Sequence, residues 1–184
     1  MRPDLPAPWR GFLDDLDARL ATPARFHCLG GFVVSVCYGL PRTTADLDVL
    51  AMVPDDVLRG VAALAGKSSP LHLAHGVHLD VVSVATVPDQ YEARLREVFG
   101  GRWGRLQLFA LDPYDVALAK LERNLQRDRD DVAYLADAVP FDLEELRRRY
   151  VDELRPYLGR PDREDLTLAL WIELVEERRR TSRR

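Results

Sequence analysis

The chain has 184 residues, 47% of them hydrophobic and 30% charged, with a formal net charge of −4. This is the make-up of an ordinary soluble protein with one full hydrophobic core and room for a helical appendage. It excludes a global basic signature for nucleic acid, and no apolar run approaches the roughly 20 residues that span a bilayer. Met1-Arg2-Pro3-Asp4 does not open as a signal peptide, so a cytoplasmic location is the default expectation, and Cys28 and Cys37 are expected as buried free thiols.

In chain order, Trp9 to Leu20 reads as an amphipathic helix and Phe26 to Leu29 as a short strand running into Gly30-Gly31. The apolar run Phe32 to Tyr38 predicts a buried helix beginning at the glycines and ended by Gly39 and Pro41. Thr44 to Val53 predicts a strand and Asp55 to Ala65 a helix. Leu71–Ala74 and His78–Ala85 predict a hairpin around Gly76. Pro88 to Val98 reads as a helix and Arg105 to Leu111 as a strand. Beyond Leu111 the pattern is helical throughout. Asp112-Pro113 caps a helix through Leu125, a second runs from about Asp128 to Val139, Asp142 and Glu145 open a third to Leu158, and Pro161 to Arg180 supplies the last. The expected fold class is therefore mixed α/β (α+β). It has a mixed β-sheet core with flanking helices over residues 1–111 and a helical lobe over 112–184, packed as one compact unit with the active site in the cleft between.

Chemistry concentrates in three carboxylates. Side chains on a strand repeat every two residues, so Asp46 and Asp48 share one face while Leu47 and Val49 share the other. Asp80 interrupts a second apolar strand, Leu79 to Val84. Like charges side by side in an apolar strand repel and lose hydration, and a divalent cation neutralises them best. The alternative is that Asp46 and Asp48 meet arginines such as Arg42. His72, His75 and His78 recur at intervals of three, which alternates faces in a strand, so zinc is not expected there, although His78 shares the face of Asp80. Trp103 and Trp171 read as core or interface fillers. Arg147-Arg148-Arg149, Arg178-Arg179-Arg180 and Arg183-Arg184 make the last third locally basic, which reads first as solvated helix faces. Only two of the 26 cationic residues are lysines, and Lys120 lies inside a helical apolar pattern.

Taken in order, Gly30-Gly31, Arg42-Thr43-Thr44-Ala45-Asp46-Leu47-Asp48 and then Asp80 resemble the polymerase-β-like nucleotidyltransferase superfamily, with its glycine pair, D-x-D strand and third carboxylate. Asp112 to Leu121 with Lys120, followed by Arg127-Asp128-Arg129-Asp130-Asp131-Val132, resembles the lysine helix and R-D-x-x-D-h motif of one branch, the DUF6036 and AbiEii-type group that includes MenT-like toxins. The resemblance covers roughly residues 26 to 138. It implies a nucleotidyltransferase-type fold and a transfer of NMP from NTP to an acceptor hydroxyl. Asp46, Asp48 and Asp80 would hold one or two Mg²⁺ ions. Gly30, Gly31, Arg42, Thr43 and Thr44 would bind the nucleotide, and Lys120 a phosphate. Asp131 would orient Lys120 or touch the base or acceptor, with Asp128 the weaker candidate. By the same resemblance the acceptor is the tRNA 3′ end and the chain the toxin of a toxin–antitoxin pair, with a cognate antitoxin as partner and no membrane. The other readings are a nucleotidyltransferase acting on a small molecule or protein and a catalytically silent binding protein. Many members carry serine after the second glycine, where this chain has Phe32, with Ser35 one turn on. From the residues alone, Lys120 could instead snorkel to solvent, and Asp131 could be a first-turn acid that favours the helix dipole.

Overall fold

A computed structural model describes residues 5–82 and 85–182. The chain divides into two compact units, Met1–Ala85 with Leu95–Leu111, and Thr86–Arg94 with Asp112–Arg184.

The first unit is built on a mixed five-stranded sheet. Its strands are β1 (Ala24–Leu29), β2 (Asp46–Val53), β3 (His78–Val81), β4 (Arg96–Val98) and β5 (Leu106–Ala110), in the order β3-β2-β1-β5-β4. β1 runs antiparallel to β2 and parallel to β5, β2 runs parallel to β3, and β4 closes the far edge antiparallel to β5. Central position explains why β1 is buried at every residue except Arg25. Helix α1 (Ala7–Arg19) lays Trp9, Phe12, Leu13 and Leu16 into the core. α2 (Gly30–Phe32) continues into a wider π-type turn, Val33–Cys37, so the buried helix expected after the glycines is present. Phe32 is fully buried with its ring edge-on to Trp9, centroids 4.8 Å apart. α3 (Leu58–Ala65) follows a short 3₁₀ turn.

Two expectations fail here. Residues Leu71–Ala74 do not form a hairpin strand but lie in helix α4 (Pro70–His75). Ser69 caps it by accepting the His72 N–H at 3.2 Å, proline occupies the first turn, and Gly76 ends it in the left-handed region at φ 72°. β3 therefore pairs with β2 and not with its own upstream neighbour. Ser83 and Val84, read from sequence as part of that strand, lie outside the described residues. Pro88 to Val98 is likewise no helix. A 3₁₀ turn at Tyr91–Arg94 leads directly into β4, whose pairing with β5 overrides local helical propensity.

The second unit is helical: α5 (Pro113–Leu118), α6 (Gln126–Ala138), α7 (Leu143–Arg149) and α8 (Asp162–Ser182), with π-type and 3₁₀ turns carrying α7 on to Tyr157. α5 stops at Leu118 rather than Leu125, because tight turns follow and Asn124 takes a positive φ of 45°. Both expected caps form: Asp112 accepts the Asp115 N–H and Asp142 the Glu144 N–H, each at 2.9 Å. Among the described residues no helix is long and apolar enough to cross a membrane.

A buried ionic network fixes this unit. Arg149 reaches Asp112 at 2.7 Å and Asp115 at 3.2 Å while its guanidinium lies 4.6 Å from the Tyr114 ring centre. Arg94 bridges Asp115 at 2.9 Å and Glu153 at 2.7 Å, tying the 86–94 segment to the helices. Hydrogen bonds from Arg148 and then Arg149 hold the Glu145 carboxyl at about 2, well below its ordinary 4.5. A lowered carboxyl stabilises the fold above its unfolded value and loses that contribution as pH falls through the folded one. Acid unfolding should therefore steepen between pH 4.5 and about 2. Urea denaturation across that interval should show Glu145→Gln lacking this component.

Candidate active site

Strand register, rather than sequence proximity, assembles the acidic site. In the parallel pair β2–β3, Asp46 stands opposite His78 and Asp48 opposite Asp80, so all four side chains leave the same face of the sheet. Adjacent strands lie about 4.8 Å apart. Leu47 and Val49, on the other face, are fully buried, which fixes the orientation, since a slip of one residue would exchange the faces. Asp46 and Asp48 are half-buried and Asp80 is exposed. Asp46 accepts a short hydrogen bond from the Thr44 hydroxyl in the preceding loop.

The glycine pair meets this acid face directly. On β1, Leu29 is registered with Asp48, and Gly30 follows at φ 72°. A Cβ on Gly30 would lie 1.8 Å from Asp48 Oδ2, so glycine is required both by backbone angle and by the carboxylate's approach. A Cβ on Gly31 would sit 3.2 Å from Thr44 Oγ1. The glycines, Thr44, Asp46, Asp48 and Asp80 are thus brought together within one unit. A cavity of about 430 Å³ adjoins them, lined among others by Trp9, Ser35, Leu40, Arg42, Thr43 and Thr44. Sequence reasoning placed Arg42, Thr43 and Thr44 near a nucleotide. It had no signal for Trp9, which arrives from a helix more than thirty residues upstream.

Among the described residues, no group of three or more His, Cys, Asp and Glu side chains already stands together as a metal site. By donor chemistry the acid face nevertheless fits a hard cation: facing aspartates on adjacent strands offer only oxygens, with a hydroxyl beside them. Two of the three spaced histidines have partners of their own. His75 pairs with Asp15 at 2.7 Å, and His72 accepts the Ser68 N–H at 2.9 Å. The His78 ring lies 5.0 Å from that of His72, its Nδ1 buried and without a hydrogen-bond partner among the described residues.

In the second unit Lys120 is buried rather than snorkelling. Its ammonium lies 2.9 Å from Asp131 and 3.4 Å from Asp128. Asp131 is thus the partner of Lys120 and more than a first-turn acid. Asp128 carries the structural duties: it accepts the Leu125 N–H at 2.9 Å, capping α6, and takes two hydrogen bonds from Arg123. Burial works to raise the Asp128 carboxyl, but Arg123, the Leu125 N–H and Lys120 outweigh it and hold it below the usual range. The arginine clusters are largely neutralised within the chain. Arg147 pairs with Glu144, Arg148 with Glu145 and Arg178 with Asp137, while Arg149 is buried in its network and Arg179 donates to two backbone carbonyls. Arg183 and Arg184 lie outside the described residues.

The contact between Gly30 and Asp48 yields a direct test. Gly30→Ala should lower the unfolding free energy by roughly 1–2 kcal/mol from the left-handed backbone alone. The new methyl also turns the Asp48 carboxylate away, so calorimetric titration with Mg²⁺ should show weakened binding in a folded variant.

Residues 14–179 match the family described as a nucleotidyltransferase of unknown function (DUF6036). No curated protein and no solved structure gives a significant match. The five-stranded mixed sheet with flanking helices agrees with a nucleotidyltransferase-type fold. With a match extending over nearly all of its length, the chain belongs to the DUF6036 family of nucleotidyltransferases.

Proposed function

We propose that the protein is a cytoplasmic, Mg²⁺-dependent enzyme that transfers NMP from NTP to an acceptor hydroxyl and releases pyrophosphate. The observation that carries this reading is the register of Asp48 with Asp80 across β2–β3, with Asp46 on the same face and Gly30 packed against the Asp48 carboxylate. These three aspartates are the groups that would hold one or two Mg²⁺ ions. When bound there, Mg²⁺ would acidify the acceptor hydroxyl and neutralise charge on the departing pyrophosphate.

The protein's own groups take the remaining roles. Asp80, the exposed member, accepts the proton of the acceptor hydroxyl as its oxygen bonds to the α-phosphorus and the α–β bridge breaks. Arg42, Thr43 and Thr44 bind the phosphate end of the nucleotide beside Gly30-Gly31, whose missing side chains allow close approach. Lys120, its ammonium oriented by Asp131, is assigned to phosphate. By family resemblance the leading acceptor is the tRNA 3′ end, which would make the protein the toxin of a toxin–antitoxin pair. One observation favours a different acceptor, a small hydroxylated compound or a protein side chain: Arg147, Arg148 and Arg178, from the clusters available to an RNA backbone, are paired to carboxylates of the chain itself.

Incubation with Mg²⁺, each labelled NTP in turn and total RNA distinguishes the acceptors. Label in tRNA supports the toxin reading, and label transferred without RNA supports the second. Under either, Asp48→Asn should cut transfer by roughly 100-fold or more while circular dichroism stays unchanged. Undiminished transfer by that variant would remove the acid face from the chemistry.

A further inference from the structure

We infer that the cavity beside the acid face receives the nucleoside half of the substrate nucleotide, with Ser35 as its hydrogen-bonding contact. This rests on the nucleotidyltransferase reading and adds to it where the base and sugar go.

Size and lining both point to a ligand. A volume of about 430 Å³ falls within the roughly 300–1,000 Å³ of small-molecule sites. The cavity is graded in polarity. Trp9, Val36 and Leu40 with three prolines give it apolar walls, whereas Arg42, Thr43 and Thr44 supply a polar end. That polar end abuts the acid strand, because the Thr44 hydroxyl is hydrogen-bonded to Asp46. A nucleotide has the same gradient, anionic at one end and a flat, weakly polar body at the other. A phosphate alone would leave the apolar walls uncovered, and a purely apolar ligand would bury the Arg42 end of the cavity without meeting its charge.

Ser35 is the second, independent sign. Its Oγ is buried and has no hydrogen-bond partner among the described residues, and Ser35 is one of the residues that line the cavity. Buried hydroxyls are normally satisfied, so an unpaired one on a cavity-lining residue calls for a partner from outside the chain. A ribose hydroxyl or a ring nitrogen or carbonyl of a base supplies it. The Trp9 wall is braced by two rings: Phe32 meets the indole edge-on at 4.8 Å and Phe12 at 5.8 Å.

The test compares NTP with inorganic tripolyphosphate as ligands, by calorimetry in Mg²⁺, for wild type, Ser35→Leu and Ser35→Ala. Ser35→Leu, which fills the cavity, should lose NTP binding yet keep wild-type affinity for tripolyphosphate. Ser35→Ala should unfold at the same or a higher temperature, since an unpaired hydroxyl is removed, while its NTP affinity falls roughly three- to tenfold. If Ser35→Leu fails to fold, the Ser35→Ala comparison decides alone. Equal NTP affinity in wild type and both folded variants overturns the cavity assignment and leaves the nucleotidyltransferase reading standing. A wild-type protein that binds neither NTP nor tripolyphosphate overturns both.

Discussion

The alignment of Asp48 with Asp80 across two parallel strands is the constraint on which the site depends. Like charges set directly opposite one another in a sheet are destabilising. The fold nevertheless imposes this pairing, because Leu47, Val49 and Leu79 are buried on the other face and hold the register. Sliding β3 by one residue would relieve the repulsion only by exposing Leu79 and burying Asp80. The glycine pair belongs to the same constraint, since Gly30 leaves room for the Asp48 carboxylate that any side chain would displace.

The second unit handles charge differently. There carboxylates are buried beside guanidinium or ammonium groups: Asp112 and Asp115 against Arg149, Asp115 and Glu153 against Arg94, Asp128 and Asp131 against Lys120 and Arg123. Removing one partner of such a pair strands the other and typically costs several kcal/mol, so these networks hold the helices as packed. On the acid face of the first unit Asp46 meets a hydroxyl, and Asp80 faces solvent.

Much of this was legible in the sequence where a single element carried the signal. The two-residue period put Asp46 and Asp48 on one face, and capping chemistry at Asp112-Pro113 and Asp142 located α5 and α7. Lys120 and Asp131 were marked by motif and spacing, and they are in contact. Legibility failed where tertiary pairing decided. α4 hides behind a six-residue run with Leu71 alone buried, too short for a helical period to register. β4 is a three-residue edge strand with two exposed residues, so it lacks the alternation that would have announced it. The cavity was invisible for the same reason, since Trp9, Ser35 and Thr44 come from three separate segments that only the fold brings together. The arginine clusters misled in the opposite sense, because local sequence shows the positive charges but not that Arg149 is buried against Asp112.

The central claim, that facing aspartates on β2 and β3 form a divalent-cation site, is tested most directly by Mn²⁺ titration in the presence of NTP, followed by electron paramagnetic resonance. Wild-type protein should take up Mn²⁺, and Asp48→Asn and Asp80→Asn should each weaken uptake by roughly tenfold, as expected for the loss of one charged ligand oxygen. Uptake by both variants equal to that of the wild type would contradict it.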